Sequence, residues 1–555
     1  MAIAESPAPR APARSTPAAL TLRPGLGWPA LLGVVAFATT LVITGRLLVV
    51  DALMDLYAGR LIVAHGLPHT DTLTVAGAGH RWIDQQWLAH VVLYELFQTV
   101  GWFGPALLCA AAVGVAVGGL AAMLVRRGLP AGMAMAWPTV GYFVAVQNTT
   151  VRAQTLAYPL FVAVLAVVLA DYRRGRPARS SLWAFAVLVL WANIHGSVLI
   201  GIASLAGGSL LCAAIAVREG RRRDARDFAG LALAALLTVF VTPYSPSDLI
   251  AYYRSVIGNP VIAKVVSEWQ PPTLIGSWPF FVLALAAAAV VGLTVWKRRL
   301  PALPAVAIGA GLALAGLTAV RYDVWFALAG VLVLGEGAAV LMGGPSQPAV
   351  RSQTPLDRVV GRAGVVAVGF AAIVPLVAPA RTNQLSALVF GGVVMAAQAR
   401  SAIPGCRPGR PLLAAVAVVV AACGAKALTT SPTDYYAGAS LPAVRAAARF
   451  AASHPGARIM ADSSSAPQLL WSEPQLAGRV GFDIRYEIYP TSAIAQYVRF
   501  MTGYDDAGWA SSLRGYSIVV VSRAFAPQLT TAVAHLRGWR VLESDRNGLV
   551  AVRAS

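Results

Sequence analysis

The residues best suited to chemistry lie between Asp51 and Glu95, in DALMDLYAGRLIVAHGLPHTDTLTVAGAGHRWIDQQWLAHVVLYE, which holds Asp51, Asp55, Asp71 and Asp84 among His65, His69, His80 and His90. Asp51 and Asp55 are four apart, so on a helix they share one face. Neighbouring carboxylates raise one another's pKa, which suits one of the pair to general-base work. The plainer alternative is that Asp51 caps the following helix and Asp55 pairs with Arg60. Asp71, Asp84 and the histidines are types that ligate divalent ions, but Gly66 and Pro68 break any i, i+4 relation between His65 and His69. The spacing carries no metal signature, so loop hydrogen bonding is the stronger reading. No metal ligand is assigned, and a divalent metal stays open as a cofactor.

The elements that must position these groups are membrane-spanning. The 555-residue chain is 57% hydrophobic and 12% charged, about half the charge of a soluble globular protein. Mean hydropathy is +0.66. The net charge of +20 falls largely in short clusters between apolar runs: Arg126–Arg127, Arg173–Arg174, Arg221–Arg223 and Lys297–Arg299. That is the positive-inside pattern. No basic stretch is interleaved with aromatics, which argues against a nucleic-acid partner. Cys109, Cys212, Cys406 and Cys423 lie in or beside apolar runs and read as small packing residues.

With about twenty apolar residues per crossing, the chain reads as mainly α, a polytopic bundle of about 13 transmembrane helices. Residues 1–27 form a Pro/Ala-rich tail, expected to be disordered and cytoplasmic. The transmembrane domain spans 28–428, with a first crossing from Trp28 to Val50, a first outer loop at 51–104 and a second at 243–276. Gln86 to Val100 suits a helix lying along the interface. Between the basic flanks of Ser181 to Val217 the crossings must be even in number, so Trp191–Ser197 (WANIHGS) is expected to turn at the outer face. That brings His195 to the compartment of the acidic loop. Residues 429–555 form an extracytoplasmic α/β domain: a helix at Leu441–His454, strands in ARIMADS, GRVGFDI and SIVVVSR, a helix at Pro527–Leu536, and a hairpin turning at Asn547–Gly548. The multi-pass protein is placed in the cell membrane, N-terminus inside and C-terminal domain outside. Polar density of this kind beside a bilayer marks the first loop as the floor of an active site. No Walker A, GxSxG or CxxC pattern occurs, and Asn148-Thr149-Thr150 is a sequon too short to be informative.

In order, Asp51-x3-Asp55-x3-Gly59-Arg60, His65-Gly66-x-Pro68-x2-Asp71, Trp82-x-Asp84-x2-Trp87-Leu88, Val151-Arg152-Ala153-Gln154, Trp191-x-Asn193-x-His195-Gly196, Glu268-Trp269-Gln270-Pro271 and Asp483-x-Arg485 resemble bacterial multi-pass membrane proteins grouped with GT-C-type glycosyltransferases. The chain departs from that subgroup at Asp55, where His is usual, and at Gln86, where Glu is common. The resemblance implies a GT-C-like transferase of hexosyl or pentosyl groups. The donor would be a lipid-linked sugar, a polyprenyl phosphate, and the acceptor an envelope glycan, lipid or protein. It carries an acidic base onto Asp51.

Such a reaction gives the other groups roles. Asp51 or Asp55 would take the acceptor's proton. Donor phosphate needs Arg or Lys near the outer face, for which Arg60, Arg81, Arg152, Lys264 and Arg321 are candidates, Arg60, Arg152 and Arg321 being assigned. Arg152 and Arg321 adjoin outer helix ends, with snorkelling to the interface as the alternative. Asp84, His195, Glu268 and Trp269 are assigned to the acceptor or sugar. Against these, His195 could be an inter-helix hydrogen-bond partner and Trp269 an interfacial anchor. Asp483 and Arg485 follow a predicted strand, where ligand groups are placed, though an internal salt bridge is the stronger reading. Two other functions remain open at this point: a transporter or flippase for a lipid-linked envelope precursor, with its charges near the midplane, and a non-catalytic membrane scaffold.

Overall fold

A computed structural model describes residues 26–257, 266–343, 353–377, 382–401, 406–430, 440–504, 506 and 508–554. The tail at 1–25 and Lys264 lie outside the described residues. Among those described, eight helices are long and apolar enough to cross a membrane, and Arg179–Ala192 and Leu303–Gly316 are shorter apolar helices. Each expected crossing falls on a helix.

The first helix, α1 (Gly27–Arg46), stops short of the expected Val50, because Leu47 turns to extended backbone. The chain restarts as α2 (Val50–His65), so the acidic segment opens as a helix with Asp51 in its first turn. Gly66, at φ +82°, ends α2, a conformation that costs glycine little. A bridged loop leads to α3 (Trp87–Val100) and the long α4 (Phe103–Arg126).

Without a hydrophobic drive between helices in lipid, small residues set the close crossings. A Cβ on Gly33 of α1 would lie 2.8 Å from the Gly114 carbonyl oxygen of α4, and one on Gly114 would lie 2.7 Å from that of Gly33. The Trp102 indole donates to the Thr44 carbonyl at 2.9 Å, tying the end of α1 to the α3–α4 turn. The Ala/Val-rich pair Pro355–Ala371 and Thr382–Arg400 is joined likewise, with Gly364 and Gly392 backbone to backbone. At the far end of the bundle Glu336 is held by Arg127 at 3.0 Å and by Arg173, which satisfies a carboxylate buried among apolar helices.

The C-terminal domain has a four-stranded sheet, β1 (Ile459–Ala461), β2 (Ile518–Ser522), β3 (Trp539–Ser544) and β4 (Gly548–Arg553), in the order β1-β2-β4-β3. β1 and β2 are parallel, and β4 runs antiparallel to both neighbours. The helices Leu441–Ser453 and Pro527–Ala534 stand close to expectation. GRVGFDI does not form a regular strand. Its backbone is shared between two partners: Gly481 N–H donates to Ile459 O at 2.7 Å, while Val75 N–H donates to Val480 O at 2.8 Å. The segment is thus a bridge between the sheet and the first loop. Met54, Tyr57, Leu73 and Trp82 join the hydrophobic core of the domain, so the domain is packed onto the first loop over a continuous apolar contact.

Candidate active site

The positioning begins where α2 crosses α3. Gly59 carries no Cβ, and one built there would fall 2.2 Å from the His90 carbonyl oxygen. This close approach lets a buried chain of polar groups form. His90 Nδ1 lies 2.8 Å from Asp84 Oδ2. Its Nε2 lies 3.2 Å from Asp55 Oδ1, an ion-pair contact without hydrogen-bond alignment. Asp55 Oδ2 accepts the Ala153 N–H at 3.1 Å, which fixes the start of the following span. Burial alone would strip His90 of its proton, but the Asp84 and Asp55 carboxylates outweigh it and push its pKa up to about 10. The imidazolium therefore stays charged at neutral pH and clamps both carboxylates.

One turn before Asp55, Asp51 opens into a cavity of about 390 Å³. The cavity is bounded by the start of α2, residues 152–154, the 195–197 turn, the second outer loop, Arg321, and residues 484–487 of the C-terminal domain. Arg152 is its hub. It donates to Asp51 at 3.3 Å, to Glu268 at 2.8 Å and to Asn148 at 2.8 Å. Arg321 stacks its guanidinium 4.0 Å from the Trp269 ring centre. Among the described residues no carboxylate comes within ion-pair distance of Arg321. In the turn, His195 Nδ1 accepts the Ser197 N–H at 3.0 Å, so a neutral His195 carries its proton on Nε2.

These surroundings set the protonation states. Asp51 has 37% of its side chain open, yet it is recessed within the protein. That burial pushes its pKa up to about 6, with Arg152 opposing and Glu268 and Asp55 adding. Burial also raises Asp55, against His90. Glu268 would be raised by burial, but Arg152 and Arg321 hold it below the usual range. Burial, with Arg321 and Arg152 beside it, keeps His195 neutral. The cavity therefore offers a carboxylate poised as a base, a cation with no carboxylate in ion-pair contact among the described residues, and a neutral imidazole. His90 spends both nitrogens on carboxylates, leaving none for a metal, and among the described residues no three His, Cys, Asp or Glu side chains converge on a metal position.

No protein-family model matches the chain, nor does any curated protein. Among solved structures it is similar to ArnT from Cupriavidus metallidurans in the apo state, with a TM-score of 0.47 and 16% identity over 95% of this chain and 97% of that one. It is also similar to the same protein bound to undecaprenyl phosphate, with a TM-score of 0.43 and 16% identity over 95% of this chain and 98% of that one. A likeness this distant leaves the chemistry to be read from the cavity itself.

Asp51, Asp55, Arg152, His195, Glu268, Trp269 and Arg321 all line that cavity. Two assigned residues do not. Arg60 donates to the Leu470 and Trp471 carbonyls at 2.7 and 3.0 Å and stacks on Trp471, so it docks the C-terminal domain and does not pair with Asp55. Asp84 is 3% exposed and is occupied by His90, so it orients that ring instead of meeting an acceptor. Arg152 is 6% exposed and bound to two carboxylates, which is incompatible with snorkelling. Arg81 turns outward to Asp248. Asp483 and Arg485 do form an internal salt bridge, at 2.6 Å, but Arg485 also reaches Asp71 at 2.9 Å. Glu487, Tyr252 and Tyr253 line the cavity and were not foreseen. The available signal was a Glu two residues beyond the Asp483-x-Arg485 motif.

Proposed function

We propose that this chain is an integral membrane glycosyltransferase that moves a sugar from a polyprenyl-phosphate-type donor to an envelope acceptor at the outer face. The observation that carries the reading is that Asp51, a recessed carboxylate whose pKa burial raises to about 6, and Arg321, a guanidinium with no carboxylate in ion-pair distance among the described residues, line one cavity at an end of the bundle. Asp51 takes the proton of an acceptor hydroxyl. The freed oxygen attacks the anomeric carbon, and the bond from that carbon to the phosphate oxygen breaks. Arg321 meets the charge that develops on the leaving phosphate, and the Trp269 ring holds its guanidinium in place. Arg152 holds Asp51 in position, and Glu268 offsets the charge of Arg152. Asp55 is a positioning residue: its oxygens are committed to Ala153 and His90. The basic clusters at the opposite helix ends support a cytoplasmic N-terminus and an extracytoplasmic cavity and C-terminal domain. The motif resemblance to GT-C-type transferases supports the same chemistry.

The test is to delete the gene and compare envelope glycolipids and glycoproteins by mass spectrometry. Loss of one sugar modification, restored by the wild-type gene, is expected. Accumulation of an intact lipid-linked precursor on the inner leaflet would instead identify a flippase and overturn the reading.

A further inference from the structure

We infer that the C-terminal domain supplies the sugar-reading wall of the cavity, where Glu487 and Arg485, with Tyr253 lining the same cavity, recognise the hydroxyls of an uncharged sugar on the donor lipid. The inference rests on the transferase reading above and specifies its substrate class. Ser463 and Phe525, which follow β1 and β2, line the cavity together with Ile484 to Glu487. The domain therefore presents the carboxyl ends of its parallel strand pair, where α/β sheets place ligands. Arg321 lies at the end of a span. A phosphate held there, at the level of the helix ends, would direct its sugar away from the bundle, towards this wall.

The wall is built from fixed side chains. Arg485 is 3% exposed. Its Nε donates to Asp483 at 2.7 Å, its Nη2 to Asp71 at 2.9 Å, and its face lies 4.1 Å over Trp82. The fork is fixed, yet among the described residues Nη1 is buried with no partner, and so are the Tyr253 hydroxyl and Gln154 Nε2. All three residues line this cavity. Buried donors without acceptors are costly to leave unmade, and a hydroxyl-bearing ring entering the cavity brings acceptors to this wall. The charge balance selects against anions. Arg485 is already flanked by two buried carboxylates, and the Glu487 carboxyl, raised to about 7 by burial, stands beside it. A uronate or a second phosphate would meet net negative charge, whereas a neutral hydroxyl can both donate and accept.

The experiment measures binding of full-length protein in nanodiscs to undecaprenyl phosphate and to the same lipid phosphate carrying glucose, arabinose or glucuronate. At least one neutral sugar is expected to strengthen binding over the bare lipid, and glucuronate is not. Glu487→Ala and Tyr253→Phe each reduce that sugar preference by about tenfold, the order of one charge-assisted or well-placed hydrogen bond, while binding of the bare lipid phosphate is unchanged. That unchanged binding also shows that the variants are folded. If bare undecaprenyl phosphate fails to bind wild type, the transferase reading itself falls, and this inference with it. If the bare lipid binds but no neutral sugar is preferred, or glucuronate is preferred, or both variants keep the preference, only the sugar-reading wall is overturned.

Discussion

The substitution Gly59→Ala is the sharpest perturbation of the site that touches no reactive group. A Cβ there would sit 2.2 Å from the His90 carbonyl oxygen and 2.6 Å from Tyr94 Cβ. The obstruction is backbone, so α2 and α3 must part by about 1 Å to restore ordinary contact. Overpacking of this kind costs ~1–3 kcal/mol, which should lower the thermal midpoint in detergent without preventing folding. The larger effect falls on geometry. Asp55 and Asp51 travel with α2, so their contacts at 3.2 Å to His90 and 3.3 Å to Arg152 are both disturbed. A misplacement of about 1 Å remote from the chemistry can reduce rate by about 100-fold. The assay is kcat/KM for sugar transfer by purified Gly59→Ala in nanodiscs, beside Gly207→Ala, where a Cβ meets nothing within 4 Å and no effect is expected. Wild-type transfer by folded Gly59→Ala would refute the argument that this crossing sets the position of Asp51.

Further outcomes follow from the same contacts. The kcat/KM of wild type should rise with pH to a plateau through a midpoint near 6, as Asp51 loses its proton. Glu268→Gln removes a negative neighbour, so the acid limb should move to lower pH; a shift upward would contradict the assignment. His90→Leu leaves Asp55 and Asp84 buried without their cation and should destabilise the fold by ~3–5 kcal/mol, read by thermal unfolding. Because the folded pKa of His90 is raised to about 10, its stabilising contribution is complete below the unfolded value near 6.5. It fades as pH rises through 10. Arg321→Ala should weaken binding of undecaprenyl phosphate by about tenfold or more. Arg321→Lys should recover only part of it, since an ammonium cannot stack on Trp269 as a planar guanidinium does; full binding by Arg321→Ala would remove it from the phosphate site.

The helices were legible because hydropathy and basic clusters report on crossings directly. The parity of crossings was enough to place His195 beside the acidic segment. The shared face of Asp51 and Asp55 followed from their spacing once α2 was helical. What was not legible depends on docking. Arg485 meets Asp71 across 414 residues of sequence, and Arg60 meets carbonyls of the C-terminal domain across 410 and 411 residues. Local spacing instead offered Arg60 to Asp55 or to phosphate. GRVGFDI has a strand's composition, but its backbone partners are divided between β1 and the first loop. Glu487 sits in an ordinary polar context, and only the packing of the domain over the bundle brings it to the cavity.

The most direct test is single-turnover sugar transfer by Asp51→Asn, with insertion verified and donor-lipid binding measured on the same sample. Loss of the base should reduce transfer by about 10²–10⁴-fold and leave binding of the lipid phosphate within a few-fold of wild type. Transfer at a near-normal rate by an Asp51→Asn protein that binds donor normally would contradict the account.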